Sequence, residues 1–194
     1  MADSTLTQDI SIALYRYMCH NIVGSEEHVN TIRLMNTARD NLLCDNRAAV
    51  MITSGSFGEG LDMKGSDPDL MFVHKRIEVY EDVQPNLNTS ITYFSMETDN
   101  VKPGFTQLLL KHACLQFVFD VCEKINGKYY CSSALYKESL MVGQQMKIHG
   151  PCISDDDGWF DHAFCFHCKS WISIAKQWIG RSNNSWPNYI MSNK

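Results

Sequence analysis

Two aspartates one residue apart, Asp67 and Asp69, follow a glycine-rich loop in the stretch TSGSFGEGLDMKGSDPDLMFV, residues 53–73. Side chains on a strand alternate faces, so an extended DPDLMFV aims both carboxylates the same way, and Pro68 disfavours the helical conformation for Asp67. Two like charges at that range repel each other unless a cation lies beside them. A hard divalent ion such as Mg2+, or Mn2+ in its place, relieves the repulsion, and such an ion is held by a few carboxylates together with substrate phosphates. The loop just upstream suits the phosphates. Gly55, Gly58 and Gly60 let backbone N–H groups approach an anion closely, and the Ser56 hydroxyl can donate to a terminal phosphate oxygen. The same residue types also build plain surface turns, because Gly, Ser, Pro and Asp each favour turns for their own reasons.

Both the loop and the acid pair need elements to hold them. Apolar residues recur at helical spacing over 6–23 (Ile10, Ala13, Leu14, Tyr17, Met18) until NIVGS interrupts. Ser25 caps a second helix, with Glu26 and Glu27 at the positive end of its dipole and Leu34, Ala38 and Leu42 forming one stripe. AAVMI at 48–52 reads as a buried strand that runs into the glycine loop, and DLMFVHK as the next strand. Residues 81–100 read as a turn-rich surface excursion around a small β-like island, ITYFSM. GFTQLLLKHA and LQFVFDVCEKINGKYYCSS give further strands, with INGK as a hairpin turn. A serine-capped helix is predicted over 132–145, then a strand, tight turn and strand through HGPCIS, DDDG and WFDHAFCF, and a last amphipathic segment from KSW. This order is α+β, with N-terminal helices on a mixed twisted sheet rather than a doubly wound one.

Composition narrows the class further. A chain of 194 residues holds one domain with a real core or one large lobe of a two-lobed enzyme. With 44% hydrophobic and 20% charged residues it reads as an ordinary soluble protein, and no apolar run approaches the roughly 20 residues a bilayer needs. MADSTLTQD has neither a basic nor an apolar leader segment, which sets the expected compartment as the cytoplasm and the eight cysteines as reduced thiols. The net charge of −5 gives no global attraction to polyphosphate, so nucleic-acid binding would need a local basic face.

The spacing carries a more specific likeness. A Gly-Ser pair after a short apolar strand, a glutamate three residues beyond the serine, and an acid-x-Asp pair opening the next strand resemble the nucleotidyltransferase signature of the polymerase-beta-like superfamily. GSFGEG with DPDLMFV is most similar to the Mab-twenty-one and cyclic GMP-AMP synthase-like receptor branch. PGFTQLLL, CSSALYKESL, HGPCIS, FDHAFCFHCKSWISIAKQWIGR and NNSWP resemble blocks of that family in the same order, so the likeness spans about residues 5–190. The resemblance implies a helical spine at 1–45 that forms one structural unit with a nucleotidyltransferase core at 46–194, and a second, helical lobe that this chain lacks. It also implies a third carboxylate on a strand shortly before a Trp-containing helix, a position held by Asp161. Asp67, Asp69 and Asp161 would then bind the metal ions. Gly55 and Ser56 would steady a triphosphate, and Lys137 would touch the nucleotide. Glu59 matches a family position and reads as structural support for the loop.

Other features carry simpler readings. His149, Cys152, His162, Cys165, His167 and Cys168 are irregularly spaced, unlike a zinc knuckle, and read as buried thiols and polar-tipped histidines. Asp155, Asp156 and Asp157 before Gly158 read as a hairpin turn. Trp171, Trp178 and Trp186 read as core. Lys111, Lys124 and Lys128 could touch phosphate or simply solvate a surface.

Two functions follow from the resemblance. One is a magnesium-dependent enzyme that joins ATP or GTP into a cyclic dinucleotide, as an innate immune sensor triggered by double-stranded RNA or DNA. The other is a non-catalytic scaffold or partner-binding module that keeps the fold. Retention of the acids and the GS loop favours the enzyme; the missing lobe and the acidic charge favour the scaffold.

Overall fold

The computed structural model describes residues 2–43, 48–61, 63, 67–82, 86–99, 101–141 and 146–179. In chain order the elements are α1 (Ala2–Met18), α2 (Glu26–Leu43), β1 (Ala49–Ser54), α3 (Gly55–Gly58), β2 (Asp69–Tyr80), β3 (Thr92–Glu97), β4 (Gln107–His112), β5 (Cys122–Ile125) and β6 (Lys128–Cys131). They continue with α4 (Ser133–Leu140), β7 (Met146–His149), β8 (Cys152–Asp155), β9 (Asp161–Cys168) and α5 (Lys176–Ile179). The architecture is mixed α+β, as the element order predicts, and its strands pair in both senses. No helix among the described residues is long and apolar enough to cross a membrane. Contacts divide the chain into two compact units, Met1–Lys75 with Lys137–Cys165 and Arg76–Tyr136 with Phe166–Lys194. The borders fall inside β2 and β9.

The first unit carries both N-terminal helices. Ser25 starts α2: its Oγ accepts from the His28 N–H at 3.3 Å and its carbonyl from the Val29 N–H at 2.9 Å. The helix packs on β1 through a face the hydrophobic pattern does not mark. Leu34 and Leu42, expected to face inward, are exposed, whereas Asn36 is buried. The inward stripe is Val29, Arg33, Asn36 and Asp40, spaced so that successive members share one helix side. Hydrogen bonding goes with this orientation, since Arg33, Asn36 and Asp40 each meet a backbone group of β1 or of the loop after it. On α1 every residue from Thr5 to Met18 is exposed, including the stripe Ile10, Leu14 and Tyr17, which the described residues leave uncovered. The helix then widens into a π-helical turn, Cys19–Val23, that stops at Gly24.

In the same unit β1 lies antiparallel to the first half of β2, with Ser54 opposite Asp69 and Ala49 opposite His74. Strands β7, β8 and β9 form an antiparallel run in which Ile153 faces His162 and Ser154 faces Asp161. Strand β9 neighbours β2, and Phe72 stacks on Phe164 at 5.3 Å and meets His162 edge-on at 5.0 Å.

The second unit holds an apolar cluster of Ile77, Val79, Phe94, Val118 and Cys122, with Leu108, Leu110 and Phe166 packed against it. Each side chain of this size contributes roughly 1.5–3 kcal/mol on full burial. The second half of β2 runs parallel to β3, and β3, β4, β6 and β5 follow as antiparallel neighbours. Residues 81–100 are thus more than a surface excursion: the island is β3, and Thr92, Tyr93, Phe94 and Ser95 are all buried. The run LQFVF, expected as strand, is a 3-10 turn over Gln116–Phe119 that drops Val118 into the cluster. The INGK hairpin forms as predicted, with φ of 50° at Asn126 and 80° at Gly127, the two positive values that the favoured two-residue turn requires. The helix predicted over 132–145 spans Ser133–Leu140; 142–145 lie outside the described residues. Trp171, expected in the core, is 59% exposed, because it sits in the extended segment after β9 rather than on a helix face. The Trp178 side chain and all of Trp186 lie outside the described residues.

Candidate functional site

The GS loop, Asp67, Asp69 and Asp161 all belong to the first unit, and the loop and the acid pair lie at the end of β2 where the strand begins. β1 hands the chain to α3 at Gly55, which takes φ of 61°, a left-handed conformation natural to glycine. Its backbone lies directly against the Asp69 carboxylate: a methyl group added at Gly55 would sit 1.7 Å from Asp69 Oδ2. Gly58 is equally confined, since a methyl there would come within 2.6 Å of the Thr53 carbonyl oxygen. Glycine at these positions is therefore a packing requirement as well as a conformational one.

The polar stripe of α2 holds this loop. Asn36 Nδ2 donates to the Phe57 carbonyl at 2.8 Å, and Arg33 Nε to the Glu59 carbonyl at 2.7 Å. Arg33 also meets the Glu59 carboxylate at 3.4 Å, which places Glu59 on the helix as a loop support. Asp40 accepts from both the Thr53 N–H and the Thr53 Oγ1, at 2.8 and 2.7 Å, and Arg39 donates to the same Oγ1 at 2.7 Å.

Asp161 reaches the acid pair through the backbone. Its N–H donates to the carbonyl of Pro68 at 3.3 Å, and Pro68 stands between Asp67 and Asp69. Burial, then the charges of Asp67 and Asp161, push the Asp69 carboxyl above its ordinary range. Neither Asp67 nor Asp69 forms an ion pair among the described residues. Asp161 is engaged on both oxygens. The Ser154 hydroxyl donates to Oδ1, and His149 Nδ1 lies 3.3 Å from Oδ2. Among the described residues no three or more His, Cys, Asp or Glu side chains stand close enough together to hold a metal ion.

Lys137 is turned to the Gly150 carbonyl, 2.9 Å away, in the turn between β7 and β8. The nearby Cys152 thiol is raised by burial and by Asp161, Asp69 and Cys165, with Lys137 opposing; the thiol thus shares the electrostatic environment of the acids. His162 stacks on Phe160 at 4.4 Å, and burial lowers its pKa. Cys165 Sγ points to the Ala163 carbonyl at 3.6 Å and Cys168 Sγ to that of Ser170 at 3.1 Å. Asp155, first of the acidic run, caps the turn by accepting from the N–H groups of Trp159 and Phe160 at 2.7 and 3.1 Å.

Sequence reasoning passes over Arg33, Asn36, Asp40 and Ser154. The first three carry a signal, a polar stripe at i, i+3 and i+7 on a helix whose Leu34, Met35, Leu42 and Leu43 lie elsewhere. Ser154 carries none, because its role depends on the pairing of β8 with β9. No family model, curated protein or solved structure matches the chain.

Proposed function

We propose that this chain is a magnesium-dependent nucleotidyltransferase of the cyclic GMP-AMP synthase-like receptor type, a cytoplasmic innate immune sensor that makes a cyclic dinucleotide from ATP or GTP. The observation that supports the reading is the Asp161 N–H on the Pro68 carbonyl, which joins the strand of the third acid to the segment of the acid pair, with Gly55 packed on Asp69. Burial first, then the charges of Asp67 and Asp161, raise the protonation range of Asp69, a repulsion that a hard cation would relieve and for which a scaffold has no physical use.

Asp67, Asp69 and Asp161 would hold the ion or ions. Bound magnesium supplies charge stabilisation for the attacking and leaving oxygens of an in-line displacement. The loop of Gly55 and Ser56 would offer backbone N–H groups and a hydroxyl to the triphosphate. Asn36, Arg33 and Asp40 keep that loop rigid, which matters because such catalysis depends on positioning. In the reaction a 3′- or 2′-hydroxyl oxygen bonds to the α-phosphorus of the second nucleotide, its proton is released to solvent, and the α–β bridging bond breaks to release pyrophosphate.

A second reading, a protein-binding module that keeps the fold without its chemistry, draws on the exposed apolar side chains of α1. Incubation of the full chain with labelled ATP and GTP, Mg2+ or Mn2+, and double-stranded RNA or DNA separates the two. A product formed by the native chain and lost in both Asp67→Asn and Asp69→Asn supports the enzyme. No product under any of these conditions favours the module.

A further inference from the structure

We infer that α1 is a dimerisation element that pairs antiparallel with α1 of a second copy of this chain, an inference that stands apart from the acid site and holds whether or not the chain is catalytic. Every residue from Thr5 to Met18 is exposed, with Leu6 60%, Ile10 59%, Leu14 59% and Tyr17 58% accessible. A helix of this length draws most of its stability from packing an apolar face, and Thr5, Thr7, Ile10, Ile12 and Tyr15 are poorer helix formers than alanine or leucine. Helix α1 therefore needs a cover. Leu6, Ile10, Ala13 and Tyr17 recur at steps of four, three and four, the seam by which two helices pack knobs into holes.

The charges select the occupant. Asp9 and Arg16 lie seven residues apart, one heptad, so both border the seam on the same side, and neither forms an ion pair among the described residues. That spacing is about 10 Å along a helix, too far for the two to neutralise each other within α1. Two such helices running antiparallel about a two-fold axis bring this flank of one copy against the same flank of the other. Asp9 of each copy then faces Arg16 of the other, which makes two reciprocal ion pairs in one interface. The same register sets Ile10 against Ala13, large against small, and Leu6 against Tyr17. In a parallel pair the flank meets the opposite one, where Asp9 faces Leu14 and the charges go unanswered. The apolar seam thus supplies the affinity, while Asp9 and Arg16 choose the partner and its direction.

The test is sedimentation equilibrium of the full chain over a concentration series into the high-micromolar range, for wild type, Ile10→Asp, Asp9→Arg, Arg16→Asp and the double reversal of Asp9 and Arg16. Urea unfolding of each variant checks that the rest of the chain stays folded, as expected for side chains that face solvent. Wild type is expected to show a reversible monomer–dimer equilibrium and Ile10→Asp to remain monomeric. Each single reversal turns both ion pairs into like-charge contacts and should weaken dimerisation roughly tenfold, whereas the double reversal restores the pairs and should return to within about threefold of wild type. A wild-type chain that stays monomeric throughout overturns the inference, as does a dimer that Ile10→Asp leaves intact. A dimer that tolerates both single reversals, or that the double reversal fails to rescue, overturns the antiparallel pairing. These outcomes are independent of the labelled-nucleotide assay, which reads the acid site alone.

Discussion

The Asp161 N–H donates to the Pro68 carbonyl at 3.3 Å, so a residue 93 positions downstream stands beside the acid pair. A backbone bond of this kind fixes where the side chain starts but leaves its carboxylate free to rotate. Position comes from the sheet; orientation comes from Ser154 and His149.

Gly55→Ala should damage the site and the fold together. The residue sits at φ of 61° with Asp69 Oδ2 1.7 Å from where the methyl would be. The left-handed conformation alone costs a non-glycine residue about 1–2 kcal/mol, and the clash adds to it by displacing Asp69. Urea unfolding should show the loss, and Mn2+ titration a weaker site. An unfolding midpoint equal to wild type would refute the packing argument.

Stability should depend on pH through Asp69. Its folded-state pKa is raised, chiefly by burial and then by Asp67 and Asp161. A carboxyl that ionises less readily folded than unfolded favours unfolding as it deprotonates. The destabilisation is absent below the ordinary value of 3.8 and complete once pH exceeds the raised folded value. Asp69→Asn should therefore flatten the fall in unfolding midpoint on going from pH 3 to pH 7, and added Mn2+ should restore stability to wild type alone. Parallel pH profiles for the two proteins would count against the repulsion.

Asp40 and Asn36 should matter more than the exposed leucines of α2. Asp40→Ala leaves the Thr53 N–H without its acceptor and costs about 1–3 kcal/mol, whereas Asn36→Ala, which frees the Phe57 carbonyl, costs about 1 kcal/mol. Leu34→Ala and Leu42→Ala, both at exposed positions, should stay within about 0.5 kcal/mol of wild type. Denaturant midpoints at constant slope give the ranking, and a larger loss from the leucines would reverse the assigned packing face.

Two thiols should resist alkylation while the chain is folded. Burial pushes Cys122 up to about 11, and burial together with Cys122 pushes Cys131 up to about 12. Only the thiolate is nucleophilic, so at pH 8 their reactive fractions are roughly a thousandth and a ten-thousandth. Iodoacetamide followed by peptide mass spectrometry should find both protected in buffer and modified in urea. Rapid native labelling of either would show that the hairpin opens.

Much of the scaffold is legible in the sequence because its signals are local. The Ser25 cap, the Asn126–Gly127 turn and the strand running into Gly55 each follow from a few neighbouring residues. The α2 face is not legible by hydrophobicity, because Asn36 and Asp40 are drawn inward by partners on β1 and α3 that the helix pattern does not contain. The 3-10 turn at Gln116–Phe119 fails for a related reason: a short apolar run is compatible with several backbones, and the cluster around Val118 selects one. In the site, the spacing of Asp67 and Asp69 is visible directly. Asp161 is found only by resemblance, and Ser154 only once β8 and β9 are paired.

The absence of a side chain at Gly55 makes that position a natural gauge. Carbon of any kind introduced there competes for the volume that Asp69 occupies, so a saturation library at this single codon would report, through whatever readout survives, how tightly the protein's chemistry is bound to its geometry.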